Sequence, residues 1–145
     1  HLVLIDLGDT RALTEVTELF SSTMVDMVVM SLDEHDKVMG YILGLSHIIN
    51  IAFMDVLVNS GEHLQNLKNI SSTSFNAQLN VATRVTQDNP DLYFEIQALN
   101  EFGRHPVNEI VASLNNICKL IDEDEKEGFV NIMLKGRVYK NKVAL

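Results

Sequence analysis

The apolar residues of this chain follow a strand-like pattern only at its beginning and a helical repeat everywhere else. Residues 2–6 (LVLID) and 24–30 (MVDMVVM) are short, branched apolar runs, and apolar residues at helical spacing lie between them. This order predicts a strand, helix, strand unit of the parallel type. Because two strands do not make a stable parallel sheet alone, we expect residues 1–30 to be the end of a larger α/β domain.

From residue 31 onward the pattern is helical. Ser31 stands three positions before Glu34, a capping box that predicts a helix running on to Ser60. The helix is apolar on nearly every face, which predicts burial in a core or against a partner subunit. A packing seam at alternating spacings of four and three consists of Val38, Ile42, Leu45, Ile49, Ala52 and Val56. Inside the apolar run lie Ser46, His47, Asn50 and Asp55, which must find partners or contact a ligand.

Further helices are predicted over residues 62–70, 75–87 and 90–103, and another from Pro106. A second capping-box pattern, Asp122 and Glu125, is expected to open the last helix. The single cysteine, Cys118, falls in an apolar helical stripe and is expected to be a buried side chain.

Composition narrows the class of protein. With 46% hydrophobic and 21% charged residues, the chain is typical of a globular domain. One cysteine allows no internal disulfide, which favours a reducing compartment such as the cytoplasm. A net charge of -9 disfavours nucleic acid and anionic membranes as partners. The acidic residues before the apolar run, and the polar residues inside it, argue against a transmembrane helix.

Candidate chemistry is sparse. The sequence has no G-x-G-x-x-G or P-loop, and its histidines lack metal-ligand spacing, so neither a nucleotide site nor a metal site is expected within this chain. Arg84, in VATRV, is expected at the edge of the core, where its guanidinium can hold a carboxylate through two parallel hydrogen bonds. The alternative is a salt bridge to an acid of a neighbouring helix. His47 and Asn50 lie one helical turn apart and can line the same wall of a pocket.

Three segments, in order, resemble the C-terminal part of the prephenate dehydrogenases, the arogenate/prephenate enzymes of tyrosine biosynthesis. The similarity extends over nearly the whole chain. The segments are Glu34-His35-Asp36 with Gly44-Leu45-Ser46-His47, then Ser74-Phe75 with Val81-Ala82-Thr83-Arg84-Val85, then Asp88-Asn89-Pro90-Asp91-Leu92-Tyr93 with Ile96 and Asn100.

The resemblance implies a mainly α fold. Residues 1–30 would be the βαβ remnant of a Rossmann nucleotide-binding domain. Residues 31–145 would be a helical substrate-binding and dimerisation bundle like the C-terminal domain of 6-phosphogluconate dehydrogenase, forming a homodimer through the helix over residues 31–60.

The resemblance also implies a reaction, the oxidative decarboxylation of prephenate to 4-hydroxyphenylpyruvate, with NAD or NADP bound mainly by the preceding domain. The family's catalytic histidine has no counterpart here, so no catalytic residue is expected in this chain. The residues expected to bind substrate are Arg84, which would grip a carboxylate, His47, Asn50 and Ser46. Prephenate and arogenate both stay open as substrates, and tyrosine is a candidate inhibitor.

The sequence departs from the family pattern at one position, and two other interpretations of its function remain open. Many family members carry a second histidine where this chain has Asn50, which leaves the role of that position open. A helical chorismate mutase would need several converging cations, and Arg84 is the one convincing candidate. An inert helical dimer module would have His47, Asn50 and Arg84 satisfying one another across the interface.

Overall fold

The computed structural model describes residues 1–142 and is mainly helical, with a short parallel sheet at the start. The predicted fold class is therefore confirmed. In chain order the elements are β1 (Leu2–Ile5), α1 (Thr10–Phe20), β2 (Met27–Met30), α2 (Leu32–Met39), a π segment (Gly40–Leu45), α3 (Ser46–Asn59), α4 (Leu64–Asn69), α5 (Thr73–Gln87), α6 (Pro90–Leu99), α7 (Arg104–Asp122) and α8 (Lys126–Asn141).

The chain divides into two compact units, His1–Val107 and Asn108–Leu145, so that the division falls within α7. The boundary predicted after residue 30 stays a prediction. The last three residues of the predicted helical domain, 143–145, lie outside the described residues.

The βαβ unit forms as its sequence predicts. β1 and β2 pair in parallel, with Leu2 opposite Met27 and Ile5 opposite Met30. The carboxylate of Asp9 begins α1 by accepting a hydrogen bond from the amide of Ala12 at 3.0 Å. Because the described sheet has only these two strands, its side chains stay partly or fully exposed.

The long helix begins at the predicted capping box, in which the Glu34 amide donates to the Ser31 hydroxyl and the Ser31 amide donates to the Glu34 carboxylate. Its predicted end at Ser60 is also close, since α3 stops at Asn59. The prediction of one regular α-helix is wrong in the middle, where the chain forms the π segment. Both glycines of this segment, Gly40 and Gly44, are buried.

Two helices of the first unit pack on the long helix, α5 against α3 and α6 against the π segment. The packed contact between α3 and α5 buries Leu79 and Ala82. Helix α6 ends at Leu99, before the predicted end at Gly103. The side chain of Asn100 stops it, because its Oδ1 accepts a hydrogen bond from the amide of Phe102 and its Nδ2 donates one to the backbone oxygen of Asp36.

The second unit contains most of α7 and all of α8. The predicted capping box at Asp122 and Glu125 is wrong, because Asp122 still belongs to α7 and Glu125 precedes α8 without a side-chain cap. Asp124 makes the turn between the two helices with a φ of 55°. Cys118 is exposed rather than buried, because the apolar stripe of α7 has no neighbour to cover it at this point within residues 1–142.

Candidate functional site

His47 lies in the first turn of α3, half-buried beside α6. Its imidazole packs on the ring of Tyr93, with 4.3 Å between ring centroids and 37° between ring planes. The Nδ1 atom is buried and has no hydrogen-bond partner within the described residues. Burial lowers the pKa of His47, and the nearby Asp88 opposes this in part. The imidazole is therefore held neutral near pH 7, with a ring nitrogen free for an added partner.

Asp88 and Tyr93 form the polar surroundings of this imidazole. Asp88 ends α5, and its carboxylate accepts a long hydrogen bond of 3.4 Å from the Tyr93 hydroxyl. Burial raises the pKa of Tyr93, and the charge of Asp88 raises it further. Tyr93 thus stays protonated and can donate to Asp88.

Asn50 is buried, with 7% of its surface exposed, and both ends of its amide are engaged. Its Nδ2 donates to the backbone oxygen of Ser46 at 2.7 Å, and its Oδ1 accepts from Gln78 Nε2 at 2.9 Å. Asn50 therefore ties α3 to α5. The exposed hydroxyl of Ser46 donates to the backbone oxygen of Ile42 one turn earlier. Both residues lie beside His47, but their strongest hydrogen bonds are to the protein itself.

Arg84 lies on α5, exposed, and within residues 1–142 its guanidinium makes neither a hydrogen bond nor an ion pair. The salt bridge to a neighbouring helix, which was the alternative explanation for this residue, is absent from this part of the chain. Arg84 lies in the last turn of α5, four residues before Asp88, which follows the end of that helix. Its five donors are free to bind an anion.

An apolar cleft of about 440 Å³ lies between α3, the end of α5 and α6. Its walls include Ile48, Val85, Asp88, Tyr93 and Phe94. This size is within the range of small-molecule sites. Neither His47 nor Arg84 forms its wall, although Tyr93 and Asp88, which flank His47, do. The cleft therefore adjoins the predicted site residues without containing them.

The turn between β1 and α1 tests whether this chain can hold a dinucleotide. The Asp6 carboxylate accepts the amide of Gly8 at 2.8 Å, and Asp9 caps α1. A pyrophosphate placed at this helix start would meet two carboxylates instead of free amides. These residues do not fit a dinucleotide phosphate.

The outer face of the long helix is apolar and exposed. Helical residues Leu32–Asn59 are long and apolar enough to cross a membrane by length and composition, and only 11% of the most apolar stretch is buried. On the predicted seam Val56 is 66% exposed, Ile42 55% and Val38 42%. The π segment turns the residues that follow it by roughly 100° around the helix, so Val38 and Val56 lie on different sides and the predicted seam is not one straight stripe. Exposed apolar side chains such as these are typical of an interface.

Some residues of this site carried no recognised signal in the sequence. Tyr93 and Asp88 stand in the matched third segment without a role assigned to them. Gln78 and Gln97 are carboxamides in helices, and only the packing of α5 and α6 reveals what they bind.

Comparison with known proteins gives a consistent picture. The family described as "Prephenate dehydrogenase, dimerization domain" matches residues 31–135. A protein of Methanocaldococcus jannaschii described as "Probable arogenate/prephenate dehydrogenase" is 26% identical over 129 residues, which are 86% of this chain and 28% of that protein.

Two solved structures share the fold. The prephenate dehydrogenase of A. aeolicus, in complex with hydroxyphenyl propionate and NAD+, matches with a TM-score of 0.78 and 21% identity, over 97% of this chain and 49% of that one. The Synechocystis arogenate dehydrogenase matches with a TM-score of 0.75 and 18% identity, over 97% of this chain and 51% of that one. The chain thus spans about half the length of these two proteins, and less of the curated relative.

Proposed function

The chain belongs to the prephenate dehydrogenase dimerization-domain family, and from this premise we propose that it is the substrate-binding and dimerisation part of a prephenate or arogenate dehydrogenase. The parent enzyme would convert prephenate to 4-hydroxyphenylpyruvate with loss of carbon dioxide. NAD or NADP would accept the hydride. Because the β1–α1 turn of this chain does not suit a pyrophosphate, we assign nucleotide binding to another part of the parent protein.

The observation that carries this proposal is the buried, unpartnered Nδ1 of His47. A buried polar atom without a hydrogen bond is uncommon and calls for an explanation, such as a ligand that completes it. The neutral imidazole can donate or accept, according to its tautomer, so it suits a hydroxyl or carboxyl group of the substrate.

Arg84 supplies the charge. Prephenate carries two carboxylates, and a free guanidinium can hold one of them through two charge-assisted hydrogen bonds. The A. aeolicus relative binds hydroxyphenyl propionate, an aromatic ring joined to one carboxylate by a short chain. This ligand shares the ring and carboxylate that we assign to the substrate here. Ser46 and Asn50 complete the proposed set by holding the backbone that carries His47.

The exposed seam of the long helix is the proposed dimer interface. Two copies related by a twofold axis would cover it with the same residues from each chain. We favour this over a membrane because Asn50 and His47 within the apolar run are already packed against α5 and α6. We also assign the protein to the cytoplasm, since a reducing compartment preserves a free thiol such as Cys118.

The test is an Arg84→Ala variant of the parent enzyme. Loss of two charge-assisted hydrogen bonds should raise the KM for prephenate roughly 10- to 100-fold, from about 1.5–3 kcal/mol of binding free energy. The KM for the nucleotide should not change. Arg137→Ala, which removes a guanidinium from α8, is the control for net charge. Equal rises in both KM values, or no rise, would exclude Arg84 from the substrate site, and the same assay with arogenate and added tyrosine would identify substrate and inhibitor.

A further inference from the structure

One face of α6 packs along the long helix. Tyr93 and Gln97 stand four residues apart and share that face, and Asn100 follows directly after the last residue of α6. Tyr93 stacks on His47 in α3. The Nε2 of Gln97 donates to the backbone oxygen of Gly44 at 2.9 Å.

Asn100 makes the third contact, because its Nδ2 donates to the backbone oxygen of Asp36 at 2.8 Å. Residues later in α6 contact residues earlier in the long helix, so the two helices run in opposite directions. The Gln97 contact lies between the other two and is the one made to the π segment.

The π segment decides which way His47 faces. A π turn holds one residue more than an α turn, so it shifts every later side chain around the helix by roughly 100° relative to an uninterrupted α-helix. If the segment relaxed to α-helix, the imidazole would leave Tyr93. The geometry of α3 therefore depends on what keeps the π segment in place.

Close packing and side-chain hydrogen bonds hold the segment. Ser46 donates to the backbone oxygen of Ile42 from within the long helix, and Gln97 donates to that of Gly44 from α6. At its start, the buried Gly40 packs on Phe102 and Pro106, since a Cβ at this position would lie 3.5 Å from the backbone oxygen of Phe102 and 3.6 Å from Pro106, at ordinary van der Waals distances. At its end, Gly44 receives the half-buried Gln97. A carboxamide is required there, since a carboxylate or a methyl group of the same size donates no hydrogen to a carbonyl oxygen.

We propose that Gln97 is a positioning residue for substrate binding: by donating to Gly44 at the end of the π segment, it fixes the His47 imidazole on Tyr93 with Nδ1 free for the substrate. The inference rests on the proposed role of His47. Gln97 also lines the apolar cleft beside Tyr93, and in this proposal it acts on the substrate through His47. Its effect is transmitted along three residues of helix, from Gly44 to His47.

The experiment compares two isosteric changes in the parent enzyme. Gln97→Glu removes the donor at Gly44, while Asn100→Asp removes the equivalent donor at Asp36, upstream of the π segment. Gln97→Met, which keeps the side-chain length without a donor or a charge, replaces Gln97→Glu if that variant does not fold. The measurements are the KM for prephenate, the KM for the nucleotide, the melting temperature and the chemical shifts of the His47 ring protons, which sense the Tyr93 ring.

Gln97→Glu is expected to raise the KM for prephenate about fivefold, the value of one hydrogen bond, and to leave the nucleotide KM unchanged. It should also move the His47 ring protons towards the shifts of an unstacked imidazole. Asn100→Asp should lower the melting temperature to a similar extent without either effect. If Gln97→Glu lowers the melting temperature but changes neither the prephenate KM nor the His47 shifts, Gln97 is only structural and the inference is wrong.

A His47→Ala variant separates this result from a failure of the proposed function. If His47→Ala leaves the prephenate KM unchanged, the substrate-binding role of His47 is wrong and the inference falls with it. If His47→Ala raises that KM strongly while the Gln97 variants leave it unchanged, the role of His47 holds and only the inference about Gln97 is overturned.

Discussion

A single charge on the exposed seam of the long helix should separate the proposed dimer. Val56 is 66% exposed and lies on the seam, while Val58 is 75% exposed on the same helix, two residues further on and about 200° around it. Val56→Asp and Val58→Asp are therefore the same change on opposite faces of α3. Both side chains are exposed, so neither change should unfold the monomer.

The magnitude follows from the exposed surface. Burying a whole valine side chain contributes about 1.5–3 kcal/mol, so covering the exposed 66% of Val56 would contribute about 1–2 kcal/mol per copy. In a twofold dimer both copies lose this, about 2–4 kcal/mol together, which raises the dissociation constant roughly 30- to 900-fold. Placing two aspartates in an apolar interface adds to that cost.

Sedimentation equilibrium over a range of protein concentrations measures the dissociation constant of each variant. Val56→Asp should be monomeric at concentrations where the parent chain and Val58→Asp are dimers. A dimer of unchanged affinity in Val56→Asp, or equal dissociation of both variants, would show that the seam is not the interface. In that case the exposed apolar residues of α7 and α8, which include Val111, Leu114, Met133 and Val138, would be the next surface to test.

Two further predictions concern the site itself. Gln78→Leu should lower the free energy of unfolding by about 1–3 kcal/mol, measured by urea denaturation, because it leaves the buried Oδ1 of Asn50 without its donor; a change below about 0.5 kcal/mol would mean that water replaces Gln78. Because the fold lowers the pKa of His47 below its ordinary value of 6.5, the unfolded chain binds the proton more tightly, so this contribution to stability is present above about pH 6.5 and is lost as the pH falls. His47→Gln should therefore flatten the dependence of unfolding free energy on pH between about pH 7 and 5, and an unchanged slope would contradict the buried imidazole.

Local rules predicted the beginnings of elements better than their ends. Asp9, Ser31 and Asn89 each cap the helix that the sequence assigns to them, because a helix start needs one side-chain oxygen near its free amides. Helix ends depend on distant partners. Helix α6 stops at Leu99 because Asn100 bonds to Asp36, which is 64 residues away and invisible to any local pattern.

The second capping box failed for a related reason. Asp122 and Glu125 have the right spacing, but α7 continues through Asp122, and the chain turns at Asp124 in a left-handed conformation. The prediction that Cys118 is buried was wrong for a different reason. The apolar stripe that suggested its burial has no neighbour within the described residues. A periodic pattern identifies an apolar face, but it does not show which molecule covers that face.

The substrate-binding roles assigned to the site residues stay predictions, and the structure adds the surroundings of each residue. Arg84 and His47 were selected for their residue types and for the resemblance, and the structure leaves the groups that matter, the guanidinium and Nδ1, without partners among residues 1–142. Asn50 was selected for the same reasons, yet its amide is engaged by Gln78 and by the backbone of Ser46.

The difference at Asn50 has a physical explanation. At the position where the resemblance implies a second histidine, this chain has a shorter side chain whose oxygen accepts a hydrogen bond from Gln78 of α5. An imidazole at this position has no carboxamide oxygen to receive the Gln78 donor, although a neutral ring nitrogen can accept it. The polar side chain at position 50 is here used to join α3 to α5, so the substrate contacts that we propose for this chain are those of His47 and Arg84.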